Sequence, residues 1–162
     1  GNYRIAKSHP RIIAYGTVDE ANAALGMVLT NSLDDDIVKI LTKIQNDLFV
    51  VGADLSNPNL NDIKNRVSLD LVTTLEHHID QFELELTPLT NFILPGGDPA
   101  AAQLHYVRTI VWRAETQTVQ LSEKDEINSN CIKYLNRLSD LFFVMSRLIN
   151  KRKNKDDILW KI

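Results

Sequence analysis

Apolar residues recur at alternating steps of three and four along most of the chain, the spacing that gives an α-helix one buried face. From Asp34 to about Leu55 the run Ile37, Ile40, Leu41, Ile44, Leu48 and Val51 predicts a long amphipathic helix. An earlier helix follows Pro10 and reaches about Thr30. Ser68 is placed to cap a third, in which Val72, Leu75, Ile79, Phe82 and Leu86 form a seam like that of a coiled coil. Asp98 and Pro99 join a capping side chain to the residue favoured at the first helical position, and the helix they open should reach about Ser122. A fifth begins near Asn128 or Ser129 and runs to about Lys153, ending on Lys151, Arg152 and Lys153, where the helix dipole favours cations. The expected fold is therefore all-α, a five-helix up-and-down bundle spanning residues 1–162 as a single domain.

Two longer irregular stretches interrupt this pattern, residues 56–67 and 87–98. The second holds Phe92-Ile93-Leu94-Pro95-Gly96-Gly97, an apolar run that ends in a helix breaker just before a capped helix. Polar residues also fall into stripes. Tyr15, Asp19, Asn22 and Gly26 share one side of the first helix, and Arg108, Trp112 and Glu115 one side of the fourth. In the fifth, Asn136, Asp140, Phe143 and Arg147 line up beside an apolar face. Such stripes are either solvated faces with weak ion pairs or a site between helices or subunits, where Arg108 and Arg113 would neutralise phosphate and Asn136 would read a nucleoside. Spacing alone leaves both readings open.

Composition narrows the class. The 162 residues are 44% apolar and 24% charged with a net charge of −3, values of an ordinary globular chain. That charge, with a pI near 5.8, argues against nucleic acid as the main partner. No apolar run nears the roughly 20 residues needed to cross a bilayer, and the first 20 residues lack signal-peptide order, so no membrane role is expected. Cys131 is the only cysteine and is expected to be an inert apolar residue, so the chain suits a reducing interior, the cytoplasm. Phosphate-loop and dinucleotide fingerprints are absent, as are the Glu-x-x-His pairs of a di-iron bundle. Adjacent His77 and His78 point to different parts of a helix and make poor partners for one metal, so no metal ligands are assigned.

Five ordered segments carry a resemblance. Arg11-Ile-Ile-Ala-Tyr-Gly-Thr-Val-Asp-Glu-Ala-Asn-Ala-Ala-Leu-Gly26 is similar to the opening helix of the PduO-type ATP:cob(I)alamin adenosyltransferases. Gly52-Ala-Asp-Leu-Ser56, Phe92-Ile-Leu-Pro-Gly-Gly97, Leu104-His-Tyr-Val-Arg-Thr-Ile-Val-Trp-Arg-Ala-Glu115 and Tyr134-Leu-Asn-Arg-Leu-Ser-Asp140 resemble the family's other signatures. The resemblance implies the ferritin-like adenosyltransferase architecture, a homotrimer with sites between subunits, and transfer of the 5′-deoxyadenosyl group of ATP to Co(I) of cobalamin. It places Lys7, Arg11, Arg113, Glu115 and Asn136 at the nucleotide and pairs Asp19 with Arg108 across subunits. Phe92 takes the position of the aromatic residue under the corrin ring. The substrates implied are ATP, with Mg²⁺, and the corrinoid, and the further partners are a reductase or an adenosylcobalamin-dependent enzyme.

Two features depart from the family. Its Thr-Lys-x-Gly-Asp-x-Gly-x-Thr segment, which wraps the triphosphate, is expected upstream of Gly1. Where the family often reads Arg-Arg-Ala-Glu-Arg, this chain has Trp112-Arg113-Ala114-Glu115-Thr116. These departures motivate a rival expectation, a corrinoid-binding or delivery protein of the same fold without catalysis. A purely structural helical oligomer, binding neither ligand, is a third.

Overall fold

A computed structural model describes residues 9–162. Five helices form, α1 (Pro10–Val28), α2 (Asp35–Ser56), α3 (Leu69–Glu83), α4 (Pro99–Ser122) and α5 (Asn130–Arg152). α1 packs on α2 and α4, and α5 on α4 and α3. Polar contacts between helices give their directions. Asn22 reaches the Gln45 carbonyl and Arg11 that of Leu55, so α1 and α2 are antiparallel. Glu115 meets Asn136 and Asp98 meets Asn150, so α4 and α5 are antiparallel too. α3 runs parallel to α5, with Glu76 near Arg137 and Glu85 on Arg152. The result is the expected up-and-down bundle.

The spacing of apolar residues accounts for the core. Leu41, Ile44, Leu48 and Val51 of α2 are fully buried, as are Leu135, Leu138, Leu141, Phe142 and Met145 of α5. Each such side chain contributes about 1.5–3 kcal/mol relative to exposure, so the bundle rests on these faces far more than on surface pairs. Cys131 lies inside this core, and burial, followed by the neighbouring Asp54 carboxylate, pushes its thiol well up, as an inert cysteine requires.

The helix ends correct some details. Asp98 caps α4 as expected, accepting from the Ala100 amide at 3.0 Å. Ser68 sits at the N-cap of α3 but makes no side-chain bond there. At α5 it is Asn128 whose side chain accepts, from the Asn130 amide at 3.1 Å, while Ser129 makes none. α3 also stops at Glu83, so Leu86 falls beyond it and packs half-buried from the following turn.

The 87–98 stretch is more ordered than its sequence suggests. Asn154 follows α5 with φ 57°, a left-handed stop that Asn tolerates well, and the chain then doubles back. Ile158–Leu159 (β2) pairs antiparallel with Ile93–Leu94 (β1), in the register Ile93 to Leu159 and Leu94 to Ile158. Among the described residues the all-α bundle thus carries one two-residue ladder, which ties residues 158–159 to the Phe92 segment. The other long link, 57–67, is organised around buried Asp54. That carboxylate pairs with Arg66 at 2.6 Å and accepts from the Val67 amide and the Asn128 side chain, each at 2.8 Å.

Candidate functional site

The stripes of α4 and α5 meet on one outer face of the bundle. Asn136 donates to Glu115 at 2.9 Å, and Arg137 donates to the Asn136 oxygen at 2.6 Å, so carboxylate, amide and guanidinium form a chain. Further along, the Arg108 guanidinium lies 5.8 Å from the centre of the Phe143 ring, within cation–π range. His105 meets the same ring edge-on at 6.1 Å. Beyond these, Arg147 pairs with Asp157 at 2.9 Å and donates to the Thr87 carbonyl at 2.8 Å. Sequence spacing had aligned Arg108 with Glu115, and Asn136 with Phe143 and Arg147, on their own helices; packing joins the two stripes into one face.

His105 is the unusual member. It is buried, yet neither ring nitrogen has a hydrogen-bond partner among the described residues, and the Nε of Arg108 is likewise unmatched. Burial, then the Arg108 charge, lowers the imidazole to about 4 against an opposing pull from Asp157, so the ring is neutral at physiological pH. Burial lowers Arg108 as well. Neither Asp19 nor Arg108 forms an ion pair among the described residues. They also lie apart: Asp19 borders a groove between α1 and α2 with Asn22, Gly52 and Phe49, whereas Arg108 faces α5.

The other expected residues divide. Arg113 pairs with Glu20 at 2.6 Å on an open surface next to exposed Trp112. Arg11 is buried and donates to the Leu55 carbonyl at 2.6 Å, with Asp125 at 3.5 Å. A phosphate would therefore have to displace Asp125, the looser of those two contacts. Lys7 lies outside the described residues. Among the described residues no three His, Cys, Asp or Glu side chains gather as a metal cage.

Phe92 stands next to the ladder and is 76% exposed, so it is not a core plug. Its amide donates to the Asn91 side-chain oxygen at 2.8 Å, and its carbonyl accepts from the Trp160 amide at 2.7 Å. The Trp160 ring meets it edge-on at 6.1 Å. On the other side of the ladder an open cleft of about 610 Å³ runs between residues 86–90 and the returning chain at 154–159, with Arg147 and Lys151 on its wall. Asp157 and Trp160 were missed in the sequence, where the terminal run Asp-Asp-Ile-Leu-Trp offers only a short apolar signal. Asn150 was missed too, as a lone polar residue beside Leu148 and Ile149.

Known proteins are similar to this chain in sequence and in fold. The chain is 41% identical over 164 residues to a corrinoid adenosyltransferase of Mycobacterium tuberculosis, covering 98% of this chain and 83% of the relative. It is 38% identical over 160 residues to one of Bacillus subtilis, covering 96% and 82%. A solved variant of a PduO-type ATP:corrinoid adenosyltransferase from Lactobacillus reuteri, complexed with cobalamin and ATP, superposes with a TM-score of 0.91 at 36% identity, covering 98% of this chain and 90% of that one. The sequence profile of the cobalamin adenosyltransferases matches residues 1–149, and with these relatives and this fold the chain belongs to that family.

Proposed function

We propose that this chain transfers the 5′-deoxyadenosyl group of ATP to Co(I) of cobalamin, giving adenosylcobalamin and triphosphate. In that step the Co(I) electron pair forms the bond to the 5′ carbon while the bond from that carbon to the triphosphate oxygen breaks. Family membership supports the reaction, and the observation that carries the site assignment is Phe92, a large apolar ring held in the open by backbone pairing on a neighbouring strand. A free-standing exposed aromatic loses contacts and mobility for nothing; a tethered one is a surface for a flat ligand. Set against the lower corrin face, it would exclude a lower axial donor, which makes Co(II) easier to reduce to the nucleophilic Co(I).

The exposed sides of α4 suit the nucleotide, Arg113 toward α1 and Glu115 with Asn136 toward α5. Arg113 and Glu20 are both about half exposed, so their pair is screened and the guanidinium can exchange Glu20 for a triphosphate oxygen. Asn136, oriented by Glu115, offers an amide to the nucleoside. Mg²⁺ would arrive with the triphosphate, since it is usually held by substrate phosphates and one or two carboxylates rather than by a protein cage. Along α5 the rise from Asn136 to Asn150, beside the Phe92 segment, is about 21 Å, whereas reacting atoms must approach to about 3–3.5 Å. Groups so far apart in one copy meet more simply across a boundary between copies. Asp19 and Arg108, unpaired within the described chain and on different faces, fit such a boundary. We therefore read residues 1–162 as one domain of a homotrimer acting in the cytoplasm, with a reductase or an adenosylcobalamin-dependent enzyme as further partners.

Phe92→Ala tests the assignment. Reduction of bound Co(II) should fall by about tenfold or more while attack by pre-reduced Co(I) changes little, a loss of about 1.4 kcal/mol confined to one step. Equal losses in both assays would remove Phe92 from that role.

A further inference from the structure

Gly97 has φ +102°, and a Cβ built on it would lie 2.3 Å from Oδ1 and 2.6 Å from Nδ2 of Asn150. Asn150 is 3% exposed near the end of α5, and both ends of its amide are used. Its Oδ1 accepts from the Asp98 amide at 2.8 Å, and its Nδ2 donates to the Gly96 carbonyl at 2.9 Å. The residue so bonded at 98 is also the one that caps α4. A single buried side chain thus grips the breaker turn on both sides, with a glycine pressed against it where no other residue fits. Two residues before Gly96 the chain enters β1, and next to β1 stands Phe92.

We infer that Asn150 and Gly97 form a lock that sets the position of Phe92 over the bundle, making both positioning residues for reduction of the corrinoid. The inference rests on the role proposed for Phe92. The ladder to β2 holds the Phe92 segment by its exposed side, through Trp160 and the chain terminus, and exposed two-residue pairing is weak by itself. The lock holds the other side through the buried Asn150 side chain. Its bond to the Asp98 amide is shielded from water, so losing it leaves a buried backbone group unmatched. Asn is required at 150 because the turn presents an N–H and a C=O together. Asp cannot donate to Gly96, and Leu can do neither.

The test compares Gly97→Ala, Asn150→Ala, Phe92→Ala and the double variant Gly97→Ala with Phe92→Ala. Cob(II)alamin and ATP are the probes, with absorbance and electron paramagnetic resonance reporting loss of the lower ligand. A displacement near 1 Å at a reacting centre can cost up to about a hundredfold, so Gly97→Ala and Asn150→Ala should reduce bound Co(II) about tenfold to a hundredfold more slowly and lose the spectral signature. Transfer from pre-reduced Co(I) and the KM for ATP should change by less than about twofold, since neither residue touches the nucleotide face. Adding Gly97→Ala to Phe92→Ala should cost nothing more, because both act through one ring. Gly97 is exposed on a loop, so its variant carries the test if Asn150→Ala does not fold. Normal Co(II) reduction by folded Gly97→Ala, beside an impaired Phe92→Ala, would overturn the lock alone. Additive losses in the double variant would overturn it too. A Phe92→Ala with normal reduction would instead overturn the reading of Phe92, and the lock with it.

Discussion

His105→Leu should remove an acid sensitivity built into the bundle. The imidazole is 2% exposed, both nitrogens are unmatched among the described residues, and its pKa falls from 6.5 to about 4. Between those values the unfolded chain binds a proton that the native chain refuses, so stability falls as pH falls through this window. Down to pH 5 the loss relative to pH 7 comes to about 2 kcal/mol, and it levels off near about 3 kcal/mol below pH 4. Leucine has no proton to bind and gives up no hydrogen bond here. Reversible urea unfolding at one fixed protein concentration, at pH 7 and pH 5, measures the effect. The parent should lose about 2 kcal/mol more than the variant on acidification, all other titrating groups being common to both. Equal acid losses in parent and variant would refute the reasoning and mean that His105 has a partner in the working protein.

Other perturbations read other parts of the account. Asp54→Ala removes the one carboxylate from Arg66, which keeps only backbone carbonyls, and leaves the Val67 amide unmatched, and should cost about 3–5 kcal/mol in the same unfolding assay. Asn136→Ala should raise the KM for ATP about tenfold in a Co(I)-supplied assay, the worth of a hydrogen bond from an oriented amide, with Co(II) reduction unaltered at saturating ATP. Asp19→Arg and Arg108→Asp should each impair assembly, followed by sedimentation, and activity with it. Their combination should recover part of both, since reversing the two charges restores an attractive pair across the boundary between copies.

Most of the bundle was legible because helices leave a periodic record. The α2 face could be read residue by residue, and Asp98-Pro99 marked the start of α4 to the residue. What escaped depends on contacts distant in the chain. A two-residue strand has no period, so the pairing of Ile158–Leu159 with Ile93–Leu94 left no trace until Asn154 was seen to turn the chain back. Ser68 looks like a cap yet makes no side-chain bond, and of the two candidates at α5, Asn128 and Ser129, it is Asn128 that reaches a free amide. The site was half legible. Spacing aligned Arg108, Glu115, Asn136 and Phe143 on their own helices, but only packing shows that Glu115 meets Asn136 and that Arg108 lies against Phe143. Asn150 was hidden because a buried amide bonded to two backbone groups looks, in sequence, like any polar residue at the edge of an apolar face.

The central claim is catalysis of adenosyl transfer. Anaerobic absorbance spectroscopy of chemically reduced cobalamin with ATP and Mg²⁺ tests it most directly, on this chain and on a longer one carrying the family's Thr-Lys-x-Gly-Asp-x-Gly-x-Thr segment ahead of Gly1. The account predicts light-sensitive adenosylcobalamin that forms only with ATP, in step with triphosphate release and faster with the longer chain. Corrinoid binding with no product from either chain would contradict it and mark a delivery protein on the same fold.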